Sequence, residues 1–252
     1  MPLNLNGNII SASSITGSTF SNTIVSDGLV LHYDAANRNS YVGTGTAWND
    51  LSISGINGAL SNNIVYTSTY GGELTFDGSH DYVSLGTVTP TSPISPILNF
   101  TIEQIFKPTG YQGTTYFGLT NFLLGKGSLS TINYLTELLN STTVTFVKRG
   151  TGEGLTTSSF TVPTMTNAIN ILTFVIINTQ TIKCFMNGVL IGMQAIAGPP
   201  IEAQSSEDVY ISNSYTPLAF IGKYYSCKIY NKALHNAEIL SNYYSIKTRF
   251  GL

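Results

Sequence analysis

A chain of 252 residues is long enough for one large β-sandwich, and a hydrophobic share of 42% is enough to fill its core. Charged residues make up only 10%, against roughly 25% in an average soluble domain, so Ser, Thr, Asn, Gly and Tyr must cover the surface. Eleven Lys and Arg stand against thirteen Asp and Glu, which leaves no basic face to grip phosphates and excludes a nucleic-acid partner.

Residues 1–27 are rich in Ser, Thr, Asn and Gly, with isolated apolar positions, and read as an extended N-terminal arm too poor in hydrophobicity to build a core. They lack the basic start and apolar run of a secretory leader, so ordinary secretion is not expected. From Gly28 to Leu252 the chain is a succession of short β-type runs between turn residues, the grammar of an antiparallel sandwich. Strands are predicted at Leu29 to Tyr33, Glu73 to Phe76, Asp81 to Leu85, Phe100 to Phe106, Phe122 to Leu124 and Val144 to Val147. Further strands are predicted at Ile171 to Ile177, Thr181 to Phe185, Val189 to Ile191, Tyr210 to Ile211, Ala219 to Ile221 and Tyr224 to Tyr230. Gly125-Lys126-Gly127 reads as a β-turn, and Thr87 to Leu98, with Pro90, Pro93 and Pro96, as a loop. Asn187-Gly188 between two strands predicts a tight primed hairpin turn. One helix is predicted near the C-terminus, capped by His235 or Asn236, with Ile239, Leu240, Tyr243 and Ile246 at helical spacing. The longest apolar stretch, Ile169 to Ile177, is interrupted by Asn and Thr and too short to span a bilayer, so no membrane partner is expected. Cys184 and Cys227 fall in separate strands; reduced core thiols are the simpler reading, and spacing leaves a disulfide open.

Several of these pieces, in order, resemble the laminin-G-like branch of the concanavalin A-like lectin/glucanase superfamily. Gly28 to Asn37 resembles the family's opening strand, with Trp48-Asn-Asp-Leu-Ser52 after it, and Phe76-Asp-Gly-Ser-His-Asp-Tyr-Val83 resembles its F-D-G-x-x-D-Y-V segment. Phe100 to Glu103, Asn187 to Leu190, Gly222-Lys223, Ile229 to Leu234 and Ala237 to Ile239 are similar to its later strands and terminal helix. The resemblance implies an all-β jelly-roll sandwich with one short C-terminal helix. It also implies a calcium ion at the sandwich rim, for which Asp77 and Asp81, with Asp34 or Asp208, offer oxygen ligands of the type calcium prefers. Together with the polar arm and the ending at residues 247–252, the chain is similar to laminin-G-like virion proteins of tailed bacteriophages. That second resemblance implies a homo-oligomer assembled in a host cytoplasm and located in the virion, contacting other capsid or tail proteins through the arm.

Catalysis is not expected. Glucanases of this superfamily place paired carboxylates in an E-x-D-x-x-E string so that one acts as nucleophile and the other as acid. No such string exists here, and the glutamates are scattered. Asp77 and Asp81 form the nearest acid pair, with turn capping around Gly78 as the plainer role. His32, His80 and His235 have no metal-ligand spacing, and no G-x-S-x-G elbow is present. Glycan recognition, the main alternative to a virion structural role, would need exposed aromatic faces beside polar groups. Tyrosines read as in or beside loops include Tyr41, Tyr66, Tyr70, Tyr111, Tyr116, Tyr215, Tyr224 and Tyr225; Trp48, Tyr111 and Tyr215 are the candidates taken forward.

Overall fold

The computed structural model describes residues 3–5, 8–10, 22–61, 63–95, 98–112, 122–126, 134–149, 154–196, 198, 206–213 and 219–252. In chain order the strands are β1 (Leu3–Leu5), β2 (Asn8–Ile10), β3 (Leu29–Asp34), β4 (Ala47–Trp48), β5 (Gly58–Leu60) and β6 (Val65–Thr67). There follow β7 (Glu73–Asp77), β8 (Tyr82–Val88), β9 (Phe100–Pro108), β10 (Phe122–Lys126), β11 (Tyr134–Asn140) and β12 (Thr143–Arg149). The last are β13 (Leu155–Thr161), β14 (Asn170–Ile177), β15 (Thr181–Met186), β16 (Val189–Ala195), β17 (Glu207–Ser212) and β18 (Ile221–Tyr230), then the helix α1 (Asn236–Phe250). β1 and β2 form a small antiparallel pair. The others make a front sheet in the order β13-β12-β11-β10-β17-β8-β5-β4 and a back sheet in the order β16-β15-β14-β9-β18-β7-β6, with β3 also on β18. Every pairing is antiparallel, as a jelly-roll sandwich requires.

The inward faces of the two sheets meet in one core that holds Trp48, Phe76, Phe100, Phe106, Phe146, Phe174 and Tyr224, none more than 2% exposed. Aromatic side chains of this size dominate the burial energy of a sandwich. A polar bridge crosses the same core: Thr136 on the front sheet donates to Gln104 Oε1 at 2.7 Å, and Gln104 Nε2 donates to Tyr224 OH at 2.7 Å. Cys184 and Cys227 are free and buried, and burial pushes the Cys227 thiol up to about 12, far from a reactive thiolate.

Gly125 and Lys126 correct the sequence reading. They continue β10 and do not turn, because they pair with Leu135 and Tyr134 on one side and with Tyr210 and Val209 on the other. The Asn187-Gly188 turn has φ of 52° and 76°, the two left-handed residues that a primed hairpin needs. α1 is longer than a short cap helix. The Glu238 carboxylate accepts the His235 N–H at 2.8 Å at its start, and Gly251, at φ 69°, closes its end.

α1 gives the back sheet a second apolar layer, in which Ile105, Ile171 and Tyr225 meet Phe250, and Val175, Phe185 and Tyr230 meet Leu234 and Ile239. Arg249 locks the C-terminal end by donating to Asp34 Oδ1 at 2.7 Å and to the carbonyls of Tyr70 and Gly72. Residues 23–27, the end of the polar arm, also lie on this helix: Val25 N donates to Asn242 Oδ1 at 2.9 Å and Ser241 donates to the Thr23 carbonyl at 2.8 Å.

Between helix and sheet lies a charged row. The register sets His32, Lys228 and Glu103 side by side on β3, β18 and β9. Burial, and then the neighbouring Lys228 charge, hold the His32 imidazole down to about 3. A folded-state value below the ordinary 6.5 means that the unfolded chain takes up this proton first, so stability is fully present above pH 6.5 and is lost as pH falls toward 3. His32→Leu is therefore expected to remove up to about one proton from the pH dependence of unfolding in that window. Urea titrations at successive pH values would show it, and an unchanged slope would place the acid sensitivity elsewhere.

Candidate functional site

The outward face of the front sheet carries a site that the strands themselves assemble. Across β4, β5, β8, β17 and β10 the register aligns Ala47, Ala59, Ser84, Tyr210 and Gly125. Their chain neighbours Trp48, Leu60, Val83, Ile211 and Leu124 are buried in the core, so strand alternation turns this row to the opposite side. Ala47 and Ala59 are exposed, and Ser84, Tyr82 and Tyr210 are half-buried. The result is a floor of small side chains beside two aromatic rings. The rings of Tyr82 and Tyr210 stand 5.4 Å apart at 90°, forming a corner. Asp208 is fixed beside them: Tyr210 OH donates to Oδ2 at 2.9 Å and Thr87 Oγ1 donates to Oδ1 at 2.6 Å. A carboxylate held by two hydroxyls keeps further lone pairs for a ligand's hydroxyl groups. Small floor, aromatic walls and a positioned acceptor are what a sugar ring with its hydroxyls requires.

The residues singled out from sequence fall elsewhere. Trp48 is fully buried, with its ring stacked on Tyr33 at 5.0 Å and edge-on to Tyr224 at 6.4 Å, so it has no face to offer a sugar. Tyr111 is half-buried against the core, and its hydroxyl accepts a long 3.4 Å bond from Thr166. Tyr215 lies outside the described residues, as does Tyr116. Tyr224 and Tyr225 are buried within β18, not beside a loop. The three aromatic candidates thus form no common surface among the described residues.

Asp77 and Asp81 do come together. Asp81 Oδ2 accepts the Asp77 N–H at 2.9 Å, and Asp77 Oδ1 accepts the Ser79 N–H at 2.7 Å, so each carboxylate caps the turn. Burial, reinforced by the charge of Asp77, pushes the Asp81 carboxyl above the usual carboxylate range. Calcium takes about six to eight oxygen ligands, and no third His, Cys, Asp or Glu side chain joins this pair among the described residues. Asp34 is held by Arg249 under the helix on the back sheet, whereas Asp208 lies on the front face. The four aspartates do not converge on one place, and the described hydrogen bonds of Asp77 and Asp81 serve their own turn.

Glu73 and Glu103, two of the buried glutamates, serve structure. Burial alone would raise the Glu73 carboxyl, but hydrogen bonds from Lys223, Thr67 and Tyr225 outweigh it and hold the group below its ordinary value. Glu103 is paired with Lys228 at 2.7 Å. Neither is free to act as a nucleophile beside an acid.

A family model of the concanavalin A-like lectin/glucanases superfamily matches residues 77–240. The chain belongs to this superfamily. Solved structures agree with the fold of the superfamily at low sequence identity. The receptor-binding domain of a botulinum neurotoxin C/D mosaic serotype superposes with a TM-score of 0.68 at 13% identity, over 87% of this chain and 51% of that one. That of botulinum neurotoxin type G gives 0.63 at 13% identity, over 86% and 51%. This superfamily member thus spans about half the length of the toxin domains it matches. Domain 4 of an extracellular GH43 arabinanase from Geobacillus stearothermophilus, solved in complex with arabinotriose, gives 0.61 at 16% identity, over 85% of this chain and 98% of that domain. No curated protein is significantly similar to the chain in sequence.

Tyr82 and Tyr210 escaped the sequence reading because they lie in strands, where loop aromatics were sought. A signal was present: in Asp81 to Leu85 the alternation sends Val83 and Leu85 inward and therefore Tyr82 and Ser84 outward.

Proposed function

We propose that this chain is a non-catalytic saccharide-binding module whose ligand lies on the front sheet. The observation that carries this reading is the Tyr82–Tyr210 corner over the floor of Ala47, Ala59 and Ser84, with Asp208 pinned beside it. A solved arabinanase domain of the same fold, bound to arabinotriose, supports it. The engagement of Glu73 and Glu103 by lysines and of Asp77 and Asp81 by their own turn favours recognition over cleavage. The virion role, with the arm joining capsid or tail proteins and copies associating with one another, rests on the polar arm, the charge-poor composition and the resemblance to bacteriophage virion proteins. The structural neighbours turn the balance toward glycan binding.

A screen of bacterial and plant polysaccharides against the full chain tests the reading. Tyr210→Ala and Tyr82→Ala are each expected to weaken the bound glycan by about tenfold, roughly 1.4 kcal/mol, measured by calorimetric titration. The affinity is expected to be the same in calcium and in a chelator, since the described bonds of Asp77 and Asp81 cap their own turn. Silence across the screen, or full affinity in the double tyrosine variant, would overturn the assignment.

A further inference from the structure

The strands under the tyrosine corner carry charge of one sign. Across β4, β5, β8 and β17 there is no Lys or Arg, and the charged residues are Glu207 and Asp208. Asp208 is half-buried, and none of the ion pairs among the described residues includes it. Its partners are the neutral hydroxyls of Tyr210 and Thr87, which orient the carboxylate without neutralising it. Glu73, Glu103 and Asp34 on the back sheet, by contrast, each meet a lysine or an arginine. Asp50, Asp77 and Asp81 accept backbone N–H groups and so hold turns together. Among its described bonds Asp208 does neither, so neither charge pairing nor capping accounts for it.

A bulge brings the Thr87 hydroxyl within reach. From Tyr210 to Asp208, β17 advances by two residues, while the paired residues of β8 run from Ser84 to Thr87. The extra residue is Gly86, at φ 72°, whose N–H donates to Ser84 Oγ at 3.2 Å. Unbroken alternation from Ser84 would send Thr87 inward. The bulge re-aims it to the outer face beside Asp208, while Leu85 and Val88 stay in the core. An oriented carboxylate without a cation suits an ammonium group, because a charge-assisted hydrogen bond is roughly twice as strong as a neutral one. Tyrosine faces also attract ammonium groups within about 6 Å, so Tyr82 and Tyr210 favour the same charge. An acidic sugar would meet Asp208 as a like charge, and the floor of Ala47, Ala59 and Ser84 leaves room for a ring.

We propose that the front-sheet site selects an amino-sugar unit, its ring against the Tyr82–Tyr210 corner and its free ammonium group paired with Asp208. The assignment rests on the saccharide-binding reading and adds the ligand class. Calorimetric titration of the full chain with the β-1,4-linked glucosamine trisaccharide and with its fully N-acetylated counterpart tests it. The free amine form is expected to bind at least about tenfold tighter, with the preference shrinking in high salt as an exposed charge pair is screened. Asp208→Asn, which keeps the shape and removes the charge, is expected to bring the two trisaccharides within about twofold of each other. Thr87→Val, which releases one of the two hydroxyl clamps, is expected to reduce the preference. Trilysine, a cation without a sugar ring, is expected to bind at least about tenfold more weakly than the amino trisaccharide. No binding of the amino trisaccharide, equal affinity for the two trisaccharides, a preference that survives Asp208→Asn, or trilysine binding as tightly would overturn the assignment. If neutral glycans meanwhile bind and lose affinity in Tyr210→Ala, the front-sheet reading stands without it. If no saccharide, charged or neutral, responds to Tyr82→Ala or Tyr210→Ala, both fall.

Discussion

Glu103→Ala is expected to cost about 3–5 kcal/mol of stability in urea unfolding, the range for breaking a buried ion pair by removing one partner. Glu103 and Lys228 are each 1% exposed and meet at 2.7 Å. Alanine would leave the Lys228 ammonium in a dry layer between the back sheet and α1, with His32 as its neighbour on β3. The loss would also spread, because Glu103 Oε2 accepts from Asn242 Nδ2 at 3.2 Å, and the same amide donates to Tyr230 OH at 2.9 Å. Asn242 Oδ1 in turn accepts from Val25 N, so the network joins sheet, helix and residues 23–27. Amide exchange should therefore show the helix and this segment opening together in the variant, ahead of the core strands. The double replacement Glu103→Leu with Lys228→Met removes both charges and is expected to recover most of the stability, since an apolar pair of similar volume needs no compensation. A single-variant cost below about 1 kcal/mol, or a double variant no better than the singles, would show that the pair is solvated and not the anchor of the helix layer.

The fold was legible where strands alternate and turns are chemically forced. Phe100 to Phe106, Ile171 to Ile177 and the Asn187-Gly188 hairpin appear as read, because runs dense in β-branched and aromatic residues between turn signals, and a left-handed turn, leave a local trace in sequence even where the strand is buried throughout. β11 and β13 left none. Tyr134–Asn140 is buried at five successive positions on both faces, and Leu155–Thr161 is mostly Ser and Thr, so neither shows an apolar period. Gly125-Lys126 misled for a related reason. A glycine beside a lysine looks like a turn, but Lys126 is buried, with its Nζ on Ser95 of the loop after β8, a fact that only tertiary packing supplies. The candidate site was hidden because its aromatics are contributed by β8 and β17, which are distant in sequence and adjacent only through the register of the front sheet.

Trp48→Ala is expected to lower stability by about 3–5 kcal/mol, the range for emptying a fully buried aromatic position. Trp48→Phe is expected to cost less, because it keeps a ring against Tyr33 and removes an indole N–H that is buried without a partner among the described residues. The ring stacks on Tyr33 with 22° between planes, and the Tyr33 hydroxyl donates to the Ile56 carbonyl at 2.5 Å, so Trp48 props the loop between β4 and β5 from below. This makes the lone tryptophan a discriminating position. A sugar platform would lose affinity on Trp48→Phe with little change in melting temperature; a core residue would lose melting temperature with glycan affinity intact. Its zero exposure argues for the second pattern. Thermal unfolding and glycan titration on the same Trp48→Phe sample separate the two, since the folded fraction measured in the first fixes the active concentration in the second. Lost affinity in a protein that still melts like the parent would move the binding surface from the Tyr82–Tyr210 corner to the edge formed by β4 and β5.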